Sequence, residues 1–273
     1  AGIIVAIIAL PLSIALALAS GVGPEAGIFT AIVAGFVISA LGGSSVQIAG
    51  PTAAFATIVA GIVAKDGLDG LVISTILAGI FLILMGLCHF GSLIKFIPYT
   101  ITTGFTSGIA VTIVIGQLKD FFGVTYPDGV KPIETTEKFK AFIENISTMN
   151  TAALIVGIVS LAILIISPVI FKKIPGSLIA VIVGILMVKF LPLKVSTIGN
   201  LYTISNSLPA FHLPAVNLHI IENALPNAFT IAVLAAIESL LSCVVTDGMI
   251  NGKHRSVMEL VAQGAGNIAS ALF

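Results

Sequence analysis

The chain has 273 residues, of which 58% are apolar and 9% are charged, and its mean hydropathy is +1.18. A soluble domain carries about a quarter charged residues, so this composition excludes an ordinary soluble enzyme and a disordered protein. The 12 basic residues balance the 12 acidic ones, which excludes a nucleic-acid binder that depends on excess positive charge. The sequence therefore predicts an all-α, polytopic membrane protein whose partner is the lipid bilayer.

Apolar runs predict nine membrane segments, since a spanning helix needs about 20 apolar residues. They cover residues 1–19, 25–41, 52–64, 68–88, 97–121, 151–171, 175–191, 223–246 and 257–273. No cleavage pattern follows the first segment, which we therefore interpret as a span and not as a signal peptide. The chain lacks an initial Met and both ends lie in apolar runs, so we expect it to be part of a longer protein.

The third segment is too short to cross a bilayer on its own. It has 13 residues from Thr52 to Ala64, which is about 20 Å of helix. Residues 42–51, which precede it, are rich in Gly and Ser and predict extended backbone with a short strand at membrane depth. Such backbone is tolerated there only inside protein or beside a water-filled cavity. We therefore predict a half-helix that begins within two residues of Thr52.

The start of this half-helix is a candidate anion site. Pro51 lacks an N–H group, and the N–H groups of Thr52–Ala54 carry the partial positive charge of the helix N-terminus. Small side chains leave these groups accessible, and a helix N-terminus near mid-membrane is suited to an anion. The alternative is a Pro-kinked helix whose amides are capped by Ser44, Ser45 or Gln47.

Glu238 is a candidate ion-coupling residue in the eighth segment. It is the only carboxylate that this segmentation places deep in the membrane, where a charge costs several kcal/mol unless it is paired or hydrated. Ser242 follows one helical turn later, and Ser239 and Thr246 lie near the same face. We expect these oxygens to complete a Na⁺ or H⁺ site. The alternative is a protonated Glu238 that is hydrogen-bonded between helices.

Other motifs indicate structure and not chemistry. Ser256 followed by Glu259 has the spacing of a capping box at the start of the ninth segment. Cys88 and Cys243 both lie in apolar runs, which argues against a disulfide. The sequence has no H-E-x-x-H motif, no paired Cys motif and no Walker loop, so we expect neither an enzyme nor an organic cofactor or structural metal.

The distribution of charged residues between alternate loops predicts the orientation. One side has five basic and two acidic residues, and the other side has seven basic and nine acidic residues. Lys and Arg are enriched in short cytoplasmic loops, so the first side, which holds Lys95, Lys172, Lys173, Lys253 and Arg255, is predicted to be cytoplasmic.

A weak internal repeat is also present. Residues 35–41 and 266–272 share Gly, Ser, Ala and Leu at the same spacing, with an offset of 231 residues. Seven segments separate the two, and an odd number inverts the topology, as in inverted-repeat transporters. On this offset the partner of Pro51 lies beyond residue 273. Chance similarity between common membrane residues is the alternative.

Four stretches resemble the SulP sulfate-permease family of anion transporters, and they occur in the order found in that family. They are residues 9–27, residues 50–52, residues 96–119 with Gly104–Gly108 and Gln117–Lys119, and residues 253–264. The resemblance implies seven-plus-seven inverted repeats and usually a C-terminal cytoplasmic STAS domain. It implies core-domain segments at 1–93, a gate domain at 94–192, a connection at 193–222 and further core segments at 223–273. The second half-helix and any STAS domain are expected beyond residue 273.

The resemblance also implies the site. In this family the anion lies between the N-termini of two facing half-helices, and Thr52, Ala53, Ala54 and Phe55 match the first of them. We add Ser13, in the first segment, to the expected substrate-binding residues. Glu238 falls where the family has an acidic residue linked to cation coupling, with Ser242 and Thr52 beside it in the sodium-coupled members. Leu12 and Leu16 replace the Gln and the aromatic residue of many members, which leaves the substrate open.

These expectations favour a secondary active transporter of bicarbonate, sulfate or a dicarboxylate, coupled to Na⁺ or H⁺, that works by alternating access in the plasma membrane. We expect the full-length protein to be a homodimer. One alternative is a nucleobase permease of the same architecture, whose carboxylate in segment eight hydrogen-bonds a base. Another is an anion-gated sensory or electromechanical module, which moves charge without net uptake.

Overall fold

The computed structural model describes residues 2–92, 99–127, 129–171, 174–204, 208–214 and 218–273. These residues form helices and no strand, which confirms the all-α fold class. The helices are α1 Gly2–Ala19, α2 Pro24–Leu41, α3 Ala56–Leu87, α4 Tyr99–Phe122, α5 Thr135–Glu144, α6 Thr151–Ile170, α7 Gly176–Phe190, α8 Ile198–Leu201, α9 Leu218–Ile250 and α10 Ser256–Leu272.

Several helices have the length and composition of membrane spans. Among the described residues, five are long and apolar enough to cross a membrane, and their apolar stretches are Pro24–Leu41, Ala53–Leu87, Thr103–Phe122, Thr151–Ile170 and Ile220–Ile250. Two shorter apolar helices cover Val5–Ala19 and Gly176–Phe190. The chain is therefore a multi-pass membrane protein.

Helix α3 is broken at Gly67. This residue has φ 71° and ψ −170°, which are not helical values, and the break separates residues 56–66 from residues 68–87. Glycine reaches a positive φ without the steric cost that a Cβ imposes, so the chain can turn here. The break lies between the predicted third and fourth segments, so the separation of these two segments is confirmed.

The chain forms two compact units. The first comprises residues 1–11 and 108–204, and the second comprises residues 12–107 and 205–273. The boundaries fall within α1 and α4, as well as between α8 and α9. The division into core and gate domains stays a prediction.

In the first unit, α6 and α7 pack side by side and run in opposite directions. Asn150 caps α6, because its Oδ1 accepts hydrogen bonds from the N–H groups of Ala152 and Ala153 at 2.9 and 3.4 Å. The same residue donates from its backbone N–H to Phe122 O and from Nδ2 to Lys194 O. Asn150 therefore joins the end of α4, the start of α6 and the connection that follows α7.

In the second unit, α3 packs against α9 and α10, and α2 packs against α10. The part of α3 after Gly67 packs closely against α10 at Gly79 and Gly264. A Cβ added to Gly79 would lie only 2.6 Å from the carbonyl oxygen of Gly264. Small residues allow such close backbone approach between membrane helices. The apolar core of this unit consists of Ile62, Ala78, Leu82, Ala228, Ile231, Ala232, Ala236, Leu240 and Leu260.

Residues 42–52, which we name the irregular segment, join α2 to the half-helix without forming regular structure. The short strand predicted in this stretch is therefore absent from the described residues. A strand is defined by its hydrogen bonds to a neighbouring strand. The irregular segment instead makes its long-range hydrogen bonds to side chains and backbone of α9 and α10 and of the turn between them.

Candidate ion-binding site

The second unit contains a cavity of about 780 Å³. Residues of α1, α2, α3, α9, α10, the irregular segment and residues 208–214 line it. Three lining side chains have ionisable groups, and these are Glu25, His212 and Glu238. No Lys or Arg lines the cavity within the described part of the chain. The ionisable groups of the described lining are therefore two carboxylates and one imidazole.

The half-helix begins at the cavity wall. Thr52 is extended, with φ −128° and ψ 145°, and a single 3₁₀ turn at Ala53–Phe55 leads into α3. The predicted start within two residues of Thr52 is thus confirmed. The Thr52 side chain makes no capping bond to the amides of this turn, although the N–H of Phe55 donates to Thr52 O at 3.3 Å. Gln47, one of the suggested caps, bonds α9 instead.

Glu238 meets the start of the half-helix directly. Thr52 Oγ1 donates a hydrogen bond of 2.6 Å to Glu238 Oε1, and both residues line the cavity. This contact connects α9 to a residue that lies 186 positions earlier in the chain. The structure therefore brings the candidate anion site and the candidate coupling residue into contact.

The other predicted site residues lie in different places. Phe55 and Ser242 line the cavity together with Thr52 and Glu238. Ala53 and Ala54 are half-buried in the 3₁₀ turn and do not line the cavity. Ser13 is buried against α2, because its backbone carbonyl packs directly on Gly27. It does not line the cavity either.

Glu259 differs from its expected role. The predicted capping box at Ser256 and Glu259 is wrong, because Arg255 is the N-cap of α10 and makes no side-chain cap bond. Glu259 is only 1% exposed and points into the second unit. Glu238 is therefore not the only carboxylate inside the protein. The spacing alone does not distinguish the two cases, because a Glu in the first turn of a helix can bond either to the backbone N–H of the N-cap residue or to a group elsewhere in the fold.

Glu259 accepts three hydrogen bonds. Ser239 Oγ donates to its Oε1 at 2.8 Å, Gln263 Nε2 donates to the same atom at 3.2 Å, and the backbone N–H of Gly43 donates to its Oε2 at 3.0 Å. Gln47 Nε2 in turn donates to Ser239 Oγ at 3.2 Å, and Cys243 Sγ donates to Gln47 Oε1 at 2.6 Å. Hydrogen bonds thus connect the side chains of Glu259, Ser239, Gln263, Gln47 and Cys243.

Sequence comparison identifies relatives over the whole chain. The profile of the sulfate permease family matches residues 1–273. The chain is 40% identical to the putative sulfate transporter YvdB of Bacillus subtilis and 33% identical to the bicarbonate transporter BicA of Picosynechococcus. These alignments cover 100% of this chain but 52% and 49% of the two relatives. The chain thus spans about half the length of the curated relatives it matches.

Solved structures share the fold. The transmembrane domain of a cyanobacterial bicarbonate transporter, BicA, matches with a TM-score of 0.86 at 31% identity, over 100% of this chain and 71% of that one. Murine Slc26a9, an anion transporter solved in the inward-facing state, matches with a TM-score of 0.81 at 18% identity, over 100% of this chain and 49% of that one. The second likeness concerns the fold alone. From its sequence and its fold, the chain belongs to the sulfate permease family, which is a family of transporters and not of enzymes.

Proposed function

We propose that the chain forms the ion-binding part of a secondary active transporter of the plasma membrane, which moves a small anion together with Na⁺ or H⁺ by alternating access. The observation that carries this proposal is the hydrogen bond from Thr52 Oγ1 to Glu238 Oε1. The anion binds at the N-terminal turn of the half-helix, and the cation binds at Glu238. The two ions therefore share Thr52 as a neighbour of both sites.

The charge of the cavity supports coupling to a cation. An anion at the start of the half-helix lies beside Glu238, and with no Lys or Arg among the described lining residues it is repelled by the ionised Glu238 carboxylate unless positive charge accompanies it. Two unit charges 4 Å apart interact by about 4 kcal/mol at an effective dielectric constant of about 20. A Na⁺ or H⁺ on Glu238 removes this repulsion. Binding of anion and cation is then reciprocally coupled, typically by about 1–3 kcal/mol.

The available ligands suit either coupling ion. Hard cations take oxygen ligands, and Glu238, Ser242 and Thr52 supply carboxylate and hydroxyl oxygens at the cavity wall. A proton requires only the carboxylate of Glu238. The proposal therefore includes both ions, and transport measurements decide between them.

The relatives suggest bicarbonate or sulfate as the anion, and a dicarboxylate stays open. They give no support to the nucleobase alternative, because neither of the two named above is a nucleobase transporter. The homodimer also stays a prediction for the full-length protein.

The test is uptake of ¹⁴C-bicarbonate and of ³⁵S-sulfate by the full-length protein in proteoliposomes. Na⁺ and pH gradients are varied separately at a fixed anion gradient. We expect Glu238→Gln to abolish the dependence of uptake on the cation gradient, because the amide carries no charge and binds neither Na⁺ strongly nor a proton. Cation-dependent uptake should be lost while the protein remains folded.

Glu222→Gln is the matched control, because it removes a carboxylate from the same helix at an exposed position that does not line the cavity. We expect this variant to keep the wild-type response to both ions. If Glu238→Gln also keeps that response, Glu238 is structural and the coupling part of the proposal fails. If the wild-type protein moves neither anion under any gradient, transport of these substrates is refuted.

A further inference from the structure

The irregular segment is attached to α9 and α10 at three places along its length. Gly43 binds Glu259 at the beginning of the segment, Gln47 binds Ser239 in the middle, and Thr52 binds Glu238 at the end. Each of these bonds involves a side chain of α9 or α10. The position of the half-helix N-terminus therefore depends on these bonds and not on regular structure in the segment itself.

Gly43 is held through both of its backbone polar groups. Its N–H donates to Glu259 Oε2 at 3.0 Å, and its carbonyl accepts a hydrogen bond of 3.0 Å from the N–H of Arg255. A Cβ at this position would collide with the carbonyl of Arg255. Both backbone groups of Gly43 are thus held by the start of α10, and only glycine allows this approach.

Glu259 has the chemistry of a fixed carboxylate. Its three partners are a hydroxyl, a side-chain amide and a backbone N–H, and all three donate to it. A carboxylate accepts only, so it matches three donors, whereas a protonated carboxyl group would bring a donor of its own. At 1% exposure, Glu259 is far less accessible than Glu238, and it does not line the cavity.

We infer that Glu259 is a positioning residue for the ion-binding site. It holds Gly43 directly and holds Gln47 through Ser239, the residue next to Glu238 in the chain. Through these two bonds it sets where the irregular segment ends and hence where Thr52 and the first turn of the half-helix face the cavity. Its effect on transport rests on the proposed function, but its effect on the segment does not.

The first measurement is hydrogen–deuterium exchange of the full-length protein, which requires no ligand. We expect Glu259→Gln to make backbone exchange in peptides covering residues 42–52 at least about threefold faster, because the amide cannot satisfy all three donors. Peptides covering residues 68–87 should exchange as in the wild type. Ser239→Ala should act in the same direction with a smaller effect, since the Gly43 bond remains, and it serves if Glu259→Gln does not fold.

The second measurement is uptake of ¹⁴C-bicarbonate and ³⁵S-sulfate at saturating cation. We expect Glu259→Gln to raise the apparent KM for the transported anion about tenfold, by analogy with metal sites, where loss of an outer hydrogen-bond partner lowers the affinity about 10- to 100-fold. The value of kcat should change less than about twofold, because the chemistry of the site is retained. A residue that only supported packing would lower kcat through loss of active protein and would leave KM unchanged.

Ser74→Ala is the matched control. Its hydroxyl is also buried in the second unit, at 1% exposure, but it has no hydrogen-bond partner among the described residues. We expect wild-type exchange and wild-type KM in this variant. Unchanged exchange at residues 42–52 in both Glu259→Gln and Ser239→Ala would overturn the inference. If the wild-type protein transports neither anion, the proposed function fails while the exchange measurement still decides the role of Glu259.

Discussion

Glu238 and Glu259 are carboxylates of the same unit in different surroundings. Glu259 is enclosed and accepts hydrogen bonds from three donors. Glu238 is half-buried, lines the cavity and accepts a hydrogen bond from Thr52. A carboxylate that is surrounded by donors keeps one geometry, whereas one at a cavity wall can exchange a proton or a cation. Their surroundings thus suit Glu259 to fixing the backbone and Glu238 to coupling.

Ala54→Asp tests the proposed anion site at the N-terminal turn of the half-helix. We expect the added negative charge to repel the anion and weaken its apparent affinity by about 1–2 kcal/mol, roughly 5- to 30-fold. The measurement is the concentration dependence of bicarbonate and sulfate uptake by the full-length protein.

Ala54→Asn provides the control, because it has nearly the same size and shape but no charge. Its apparent affinity should stay near the wild-type value. Equal affinities in the Asp and Asn variants would mean that the anion binds away from this turn.

The sequence pointed to Glu238 as a candidate site residue but gave no sign of the interior position of Glu259. Glu238 stands in the middle of a long apolar run, where a charge needs a functional explanation. Glu259 follows a basic turn by a few residues and has capping-box spacing, so local sequence favours an ordinary cap. Two of its three partners, Gly43 and Ser239, are 216 and 20 residues away in the chain. Only the tertiary fold shows that they meet.

At the scale of elements, α3 and α10 meet through Gly79 and Gly264. We expect Gly79→Ala to destabilise the protein by about 1–3 kcal/mol, because a Cβ would come within 2.6 Å of the Gly264 carbonyl and of an Ile268 side-chain atom. The measurement is the midpoint of thermal unfolding of the purified full-length protein in detergent.

Gly61→Ala tests whether this effect is specific. Gly61 lies in the part of α3 before Gly67, and a Cβ there would have no neighbour within 4 Å in the described structure. Alanine also favours a helix interior over glycine by about 1 kcal/mol. Gly61→Ala should therefore be neutral or stabilising, and a similar loss of stability in both variants would contradict the packing argument.

Most element boundaries were predictable because apolar runs in a membrane protein must match the thickness of the bilayer. The half-helix was predictable for the same reason, since 13 residues are too few to cross. The path of the irregular segment was not predictable, because it depends on side chains of α9 and α10 and not on a periodic pattern of its own.

At the scale of the whole molecule, the orientation in the membrane stays a prediction that one cysteine can test. Cys88 is exposed at the end of α3, on the side predicted to be cytoplasmic, whereas Cys243 is buried. We expect a membrane-impermeant maleimide to label the protein in inside-out vesicles but not in intact cells. In a full-length protein whose cysteines outside residues 1–273 are replaced by serine, Cys88→Ser should lose this labelling, and labelling of Cys88 in intact cells would invert the predicted orientation.

The two halves of the proposed internal repeat touch each other. A Cβ added to Gly266 of α10 would lie 2.6 Å from the side chain of Ile38 in α2. Ala34 and Ile38 also form an apolar cluster with Ala262 of α10. Contact between two similar segments is compatible with an inverted repeat. The repeat itself stays a prediction.

The long-range bonds of the irregular segment have a consequence for biosynthesis. Gly43 and its partner Glu259 are 216 residues apart, and Thr52 and Glu238 are 186 apart. At about 5–20 residues per second, the ribosome makes the partner roughly 10–40 s after the segment has emerged. During that interval the polar backbone of residues 42–52 has none of its final partners on α9 and α10. The candidate ion-binding site is therefore assembled after translation of α10, however early its first residues enter the membrane.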